Sequence, residues 1–258
     1  VVAKPRDMDD HIKWLIQKEK YVEALQCAKQ HEKQLKTHSV LKIGQAYMNH
    51  LFQTKDYEKA ANTISTVCNL DAKLWETWIY AFVKDGQFAV IVPKIPNDNP
   101  RLSETIYEMK LNHYVIHDHQ TLYKCVKEWP HNMYKAANVI KVVSKQLDTL
   151  PASNVAATTS LLNTLAELFM IERQYDKVLG IYLKLKRSDV LFEFIQEHNL
   201  FTSVQDRVLV LLEEFNEERA LDMLINNTEK MSVDQIVQQL NSKREFLLKY
   251  LHALFKKH

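Results

Sequence analysis

Residues 162–184, LNTLAELFMIERQYDKVLGIYLK, decide the fold. Leu162, Leu165, Ala166 and Phe169 recur at steps of three and four, the spacing that places side chains on one face of an α-helix. Tyr175 and Tyr182 follow in a second helix with no insertion between the two. A small residue on one helix lets its partner approach closely, and an aromatic ring then fills the wedge between successive pairs. The stretch is therefore a helix–turn–helix unit that needs a neighbour to cover its apolar face.

Working outward, the same pattern recurs. Val40, Ile43, Gly44 and Tyr47 fall at the first-helix positions of a tetratricopeptide unit, and Tyr57 and Ala60 follow with about one extra helical turn inserted. Tyr21, Ala24 and Ala28 give a partial third unit. Three- and four-residue apolar spacing predicts helices over residues 11–20, 21–33, 40–53, 57–67 and 74–83, the first with Ile12, Leu15 and Ile16 on one face. Asp9 or Asp10 is expected to cap the first helix, and Ser203, Ser232 and Ser242 to cap later ones. A stripe of Ala220, Leu221, Leu224 and Ile225 belongs to the later set. About fifteen helices of roughly 12–15 residues would account for the chain. Prolines interrupt the pattern at residues 86–100, with PNDNP, and at residues 148–154, with Pro151. The expected organisation is three helical blocks: a tetratricopeptide-like block over 1–92, a connecting block over 93–150, and a tetratricopeptide-like block over 151–258. Together they form one continuous all-α, α-solenoid chain of antiparallel helix pairs.

Composition narrows the function classes. The 258 residues contain three glycines, Gly44, Gly86 and Gly180, where ordinary usage of ~7% would give roughly 18. Phosphate-binding loops and dinucleotide folds need glycine for close backbone approach and positive φ, so they are disfavoured. The 34 basic and 32 acidic residues leave a formal net charge of +2, which gives no electrostatic reason to expect nucleic acid or a membrane surface. An RNA-binding helical repeat would need regularly presented base-reading and basic residues, and the spacing is irregular. Cys27, Cys68 and Cys125 are widely spaced and form no CxxC, so reduced thiols are expected rather than a disulfide framework or zinc site. No stretch is apolar enough to span a bilayer. The chain starts at Val1 with no leader behind it, and we read it as a segment of a longer protein.

Candidate chemistry is sparse. His113 and His117 stand four apart on a predicted helix beside Asp118 and His119, a spacing that can put two imidazoles on one metal but supplies no third ligand. The alternative is a helix end meeting water. Asp9–Asp10, Glu213–Glu214 and Glu217–Glu218 are paired carboxylates, read as helix-start and solvated-face charges rather than an acid–base pair. Lys243, Arg244, Lys249, Lys256 and Lys257 make the C-terminal end modestly basic, either a docking surface for an acidic partner or a solvated helix face. Trp75, Trp78 and Trp129 are interface anchors if exposed and inter-helix filling if not. No catalytic, cofactor-binding or metal residue is assigned, no enzyme activity is expected, and no residue is singled out as protein-binding.

Four stretches read together carry a resemblance: PRDMDDHIKWLIQKEKYVEAL from Pro5, KEWPHNMY from Lys127, SDVLFEFIQEHNLF from Ser188 and ALDMLINN from Ala220. In consistent order over nearly the whole chain, they resemble the central region of the vacuolar protein sorting-associated protein 41 family. The resemblance implies a tetratricopeptide-like solenoid leading into clathrin-heavy-chain-type repeats, with a β-propeller before it and a RING-type zinc domain after it. It also implies a non-enzymatic part in a HOPS-type tethering subunit, acting in vesicle fusion at late endosomes, lysosomes or vacuoles. Implied partners are other HOPS subunits, an adaptor protein complex, small GTPases through the full-length protein, and further copies of the chain. The other reading it leaves open is a self-assembling coat- or adaptor-associated module in lysosomal or secretory-granule carriers. The implied location is cytoplasmic and peripheral on those membranes.

Overall fold

A computed structural model of the chain describes residues 7–151 and 153–257, and all regular structure among them is helical. Pro5 and Arg6, which open the first resembling stretch, lie outside the described residues. The architecture is all-α, built from helix pairs of tetratricopeptide type. Packing divides the chain into two compact units, one ending at Lys110 and the other beginning at Leu111.

The first unit contains α1 (Met8–Gln17), α2 (Tyr21–Gln30), α3 (Val40–Gln53), α4 (Tyr57–Cys68), α5 (Ala72–Lys84) and α6 (Phe88–Ile91). Each of these helices packs on the next, and α4 also touches α6. Ile12, Ala24, Ala28, Met48, Ala60, Ile64 and Ile79 lose all solvent contact. At Gly44 α3 lies tight against α4: a Cβ there would lie 2.8 Å from Val67 Cγ1, so something would have to shift. The small-residue position read from the sequence thus marks a close helix approach. Tyr21 stacks on Tyr47 at 5.3 Å, and Tyr57 meets Phe52 at 5.5 Å and Phe82 at 6.2 Å, so the rings opening α2 and α4 do fill inter-helix wedges.

The proline-bearing stretch after α6 holds no α-helix until α7 (Glu104–His117). It is pinned from within the same unit. The buried Lys110 ammonium donates to the Ile95 carbonyl and to Asn97 Oδ1, both at 2.9 Å. The Leu102 N–H donates to Tyr107 Oη at 3.0 Å.

The second unit continues with α8 (His119–Glu128), α9 (Ala136–Thr149), α10 (Val155–Ile171), α11 (Tyr175–Lys184), α12 (Leu191–Glu197), α13 (Phe201–Val204), α14 (Val208–Glu214), α15 (Glu217–Asn226), α16 (Val233–Leu240) and α17 (Arg244–Lys257). Its organiser is α10, which packs on α8, α9 and α11 and buries Leu161, Leu162, Leu165, Leu168 and Phe169. Each such side chain contributes about 1.5–3 kcal/mol on leaving water. Thr164, also buried, satisfies its hydroxyl by donating to the Ser160 carbonyl at 2.9 Å. Further on, Ala220, Met223, Leu224 and Ile225 seat α15 against α14 and α17.

One turn recurs across both units. Glu19, Lys55, Gly86, Arg173, Lys186 and Asn199 all have φ between 52° and 70°. In each case the next N–H reaches back to the carbonyl five residues before it, as in Lys20 N to Leu15 O, Gln174 N to Phe169 O and Leu200 N to Ile195 O, each at 2.9 Å. This left-handed helix stop usually takes glycine because a Cβ there crowds the backbone. Here only Gly86 is glycine. The scarcity of glycine is tolerated because the turn is specified by its two backbone hydrogen bonds and by polar residues that accept the strain. In five of the six turns the residue two positions later is aromatic and opens the next helix: Tyr21, Tyr57, Phe88, Tyr175 and Phe201.

Several expected helix starts move. The N-cap of α1 is Asp7, whose carboxylate accepts from Asp9 N at 3.3 Å, so the helix begins at Met8 rather than His11. Neither Asp9 nor Asp10 is the cap. Ser232 does cap α16, accepting from Gln235 N. Ser203 lies inside the four-residue α13 and donates to Asp176 Oδ1, and Ser242 donates to the Gln239 carbonyl. The described residues hold seventeen α-helical segments, more and shorter than expected, because α12, α13 and α14 are broken by turns the apolar period alone does not mark.

Candidate functional site

The sequence-singled residues are built into the fold in specific ways. Asp9 is the most altered reading. Its side chain is buried and accepts from Lys36 N at 2.8 Å, His38 N at 2.9 Å, Thr37 N at 3.2 Å and His38 Nδ1 at 3.0 Å. The Lys36 and His38 amides in particular hold its carboxyl far below the usual carboxylate range. Asp9 therefore ties α1 to the segment that enters α3, while its neighbour Asp10 is exposed.

His113 and His117 sit with ring centroids 4.5 Å apart on α7, and burial followed by the His117 charge pushes His113 below the usual imidazole value. Asp118 caps α8, accepting from Thr121 N at 3.0 Å and Thr121 Oγ1 at 2.6 Å, and these bonds lower its carboxyl. The His119 carbonyl accepts from Ser160 Oγ at 3.0 Å. Among the described residues no group of three or more His, Cys, Asp or Glu side chains is placed to hold a metal.

The paired glutamates and the C-terminal bases largely meet each other. Glu213 pairs with Lys243 at 2.8 Å, Glu217 with Lys249 at 2.8 Å, and Glu214 with Lys186 at 3.0 Å. Lys257 Nζ donates to the Ile225 carbonyl at 2.9 Å, capping the end of α15. All five bases are exposed, as on a solvated face, and Lys243, Lys249 and Lys257 reach from there to neighbouring helices. Trp75, Trp78 and Trp129 are buried, and Trp75 Nε1 donates to the Asn69 carbonyl at 3.0 Å. They are filling, not anchors. The tryptophan that does reach solvent is Trp14, 43% exposed. Its position one residue before Leu15 puts it off the buried Ile12–Leu15 face, a signal present in the sequence.

Open clefts remain. In the first unit, α2, α3 and α4 enclose about 300 Å³ lined by Val22, Leu25, Tyr47 and Thr66. A second cleft of about 170 Å³ shares Val22 and Tyr47 and carries Glu19, Glu23, Asp56 and Lys59, a mixed-charge rim. In the second unit, α8 and α10 form a cleft of about 370 Å³ over Val126, Met170 and Ile171. A more open one of about 570 Å³ lies between α14 and α17, over the Glu213–Lys243 pair. In the second cleft Thr54 Oγ1 donates to the His50 carbonyl at 3.0 Å. The arrangement offers open grooves between helices.

Comparison with known proteins fits this geometry. The family model described as the Vps41 TPR-like region matches residues 42–258. The chain belongs to that family. Relatives extend the match to the first helix pair: the vacuolar protein sorting-associated protein 41 homologs of Danio rerio and Homo sapiens are 41% and 40% identical over 257 residues, all of this chain. The homolog of Solanum lycopersicum is 34% identical over 99% of the chain. The chain spans 29% of the length of the two vertebrate relatives and 26% of the tomato one. No solved structure matches it significantly. Among the described residues, no helix is long and apolar enough to cross a membrane.

Proposed function

We propose that this chain is a non-catalytic scaffold segment of a HOPS-type tethering subunit, holding other proteins during vesicle fusion at late endosomes, lysosomes or vacuoles. The observation that carries the reading is the match to vacuolar protein sorting-associated protein 41 homologs along the whole chain, 41% identical in one case. The physics agrees in kind. Helix pairs stacked on their neighbours present long surfaces and inter-helix grooves rather than a closed reaction chamber. Its partners are other subunits of the tether and an adaptor complex, with small GTPases reached through the full-length protein. Its place is the cytoplasmic side of those membranes, held there by partners.

Affinity capture tests this. The purified 258-residue chain is presented with each of the remaining tether subunits and with an adaptor ear domain, while light scattering follows self-association. Saturable binding to at least one subunit, reduced by surface substitutions, is the expected result. A monomer that ignores every subunit and the adaptor would sink the scaffold reading for this segment.

A further inference from the structure

We propose that the α8–α10 cleft is a docking site for an acidic peptide segment that carries an aliphatic side chain. The site deepens the scaffold reading and rests on it. Its floor is Val126, buried on α8, with Met170 and Ile171, half-buried at the end of α10. Methionine adapts its shape to a guest, which suits a floor that must accept more than one aliphatic side chain.

The rim carries the charge argument. Lys127, His131 and Arg173 are all exposed and all line the cleft. Lys127 and Arg173 form no ion pair among the described residues, although Lys186, Arg187, Arg219, Lys243 and Lys249 in the same unit each meet a carboxylate. Lys127 has only the Tyr123 ring beside its ammonium, 5.8 Å from the centroid, a contact that an incoming carboxylate can share because the residue is exposed. Glu128 and Glu172 adjoin this rim in sequence, yet neither lines the cleft. The one carboxylate in the wall, Glu167, accepts from Tyr123 Oη at 3.4 Å. Cations left unpaired around an apolar floor complement a ligand that is acidic at its flanks and apolar at its centre.

Two turns set the backbone of the rim. His131 stands on the turn between Trp129 and Tyr134, whose buried rings meet edge-to-face at 6.4 Å. Met133 N closes that turn on the Pro130 carbonyl at 3.0 Å. Arg173 occupies the left-handed position that ends α10, with φ 55°, so its backbone is fixed by the turn rather than by any contact of its side chain. A backbone already set at the rim lowers the part of the ordering cost that falls on the main chain.

The test uses the 258-residue chain and a fluorescein-labelled peptide of glutamates flanking a central leucine pair, followed by anisotropy. Saturable micromolar binding that weakens with added salt is expected. Lys127→Glu combined with Arg173→Glu, both at exposed positions, should weaken it by about tenfold or more, as like charges replace complementary ones. Arg173→Gly separates recognition from folding: it removes a rim charge and relieves the turn, so binding should fall while the melting temperature holds or rises. The proposal is overturned if no saturable binding occurs, or if the charge-reversed variant binds unchanged. It is equally overturned if a serine pair in place of the leucines binds as tightly, or if the chain prefers phosphatidylserine vesicles to the peptide. Failure here leaves subunit capture intact, whereas failure of subunit capture with peptide binding intact removes the tether reading and keeps the site.

Discussion

The two units use one turn at two different intervals. In the first unit Glu19, Lys55 and Gly86 are 36 and 31 residues apart, so the left-handed stop falls once per helix pair. In the second, Arg173, Lys186 and Asn199 are 13 residues apart, and every connection from α10 to α13 is the same stop. The fastening differs too. Both units stack rings between helices, Tyr21 on Tyr47 in one and Tyr175 on His198 in the other, but the first is also keyed by a buried carboxylate and a glycine contact. The α11–α17 part of the second is laced by exposed ion pairs above a leucine-rich interior. A tetratricopeptide-like chain can thus keep its turn chemistry while changing both its period and the polar contacts between helices.

The largest blow to that contrast comes from the first unit. Gly44→Leu drives a side chain into Val67 and should cost about 1–3 kcal/mol. Hydrogen exchange followed by mass spectrometry should show lost protection in α3 and α4 with α10 unchanged. Equal loss in α10 would mean that both units open together, and the contrast would be one of detail only.

Asp9→Asn is next. The folded-state value of Asp9 is depressed, so its stabilisation is complete above the unfolded carboxylate value of about 4 and is lost as pH falls below that. The parent chain should therefore lose stability between about pH 4 and pH 2 more steeply than the variant. At neutral pH the variant should melt lower. Parallel acid limbs in the two proteins would remove Asp9 as the key of the first unit.

Relief of the shared turn should have a smaller effect of opposite sign. Lys55→Gly in one unit and Arg173→Gly in the other each remove a Cβ from a left-handed position and should add about 1 kcal/mol in urea unfolding. A gain in only one unit would show that the turns are not equivalent. The smallest expected effect belongs to the exposed fasteners: Lys249→Met breaks pairs with Glu217 and Glu245 that are open to water and should leave the melting temperature unchanged. A clear drop would make the ion pairs structural rather than incidental.

Much of the helical architecture was legible because its signals are local. The span of α3, residues 40–53, is read correctly from period alone, and the structure adds Ser39 as its cap. Gly44 announces the close approach to α4 because nothing larger fits. The role of Asp9 was not legible, since its three amide partners lie 27–29 residues away and no local pattern encodes them. The recurring stop was half visible. Tyr21, Tyr57 and Tyr175 stand out, but Phe88 and Phe201 complete the series only once the left-handed residue two places earlier is known. The α8–α10 cleft draws Lys127 and His131 from one segment and Met170 and Arg173 from another, so only folding brings its charge and its floor together.

The hydrogen bonds from Lys257 to Ile225 and Asn226 carry a consequence for synthesis. Their partners are 32 and 31 residues apart in the chain, and α15 ends at Asn226. At roughly 5–20 residues per second on the ribosome, α15 waits a few seconds for its closing lysine to be made. During that interval the end of α15 has only its local cap, Asn227 Nδ2 donating to the Met223 carbonyl at 2.8 Å. Once Lys257 has been made, α17 adds a long-range closure to α15, so a pause in translation between the two would prolong the time for which that terminus is held by local contacts alone.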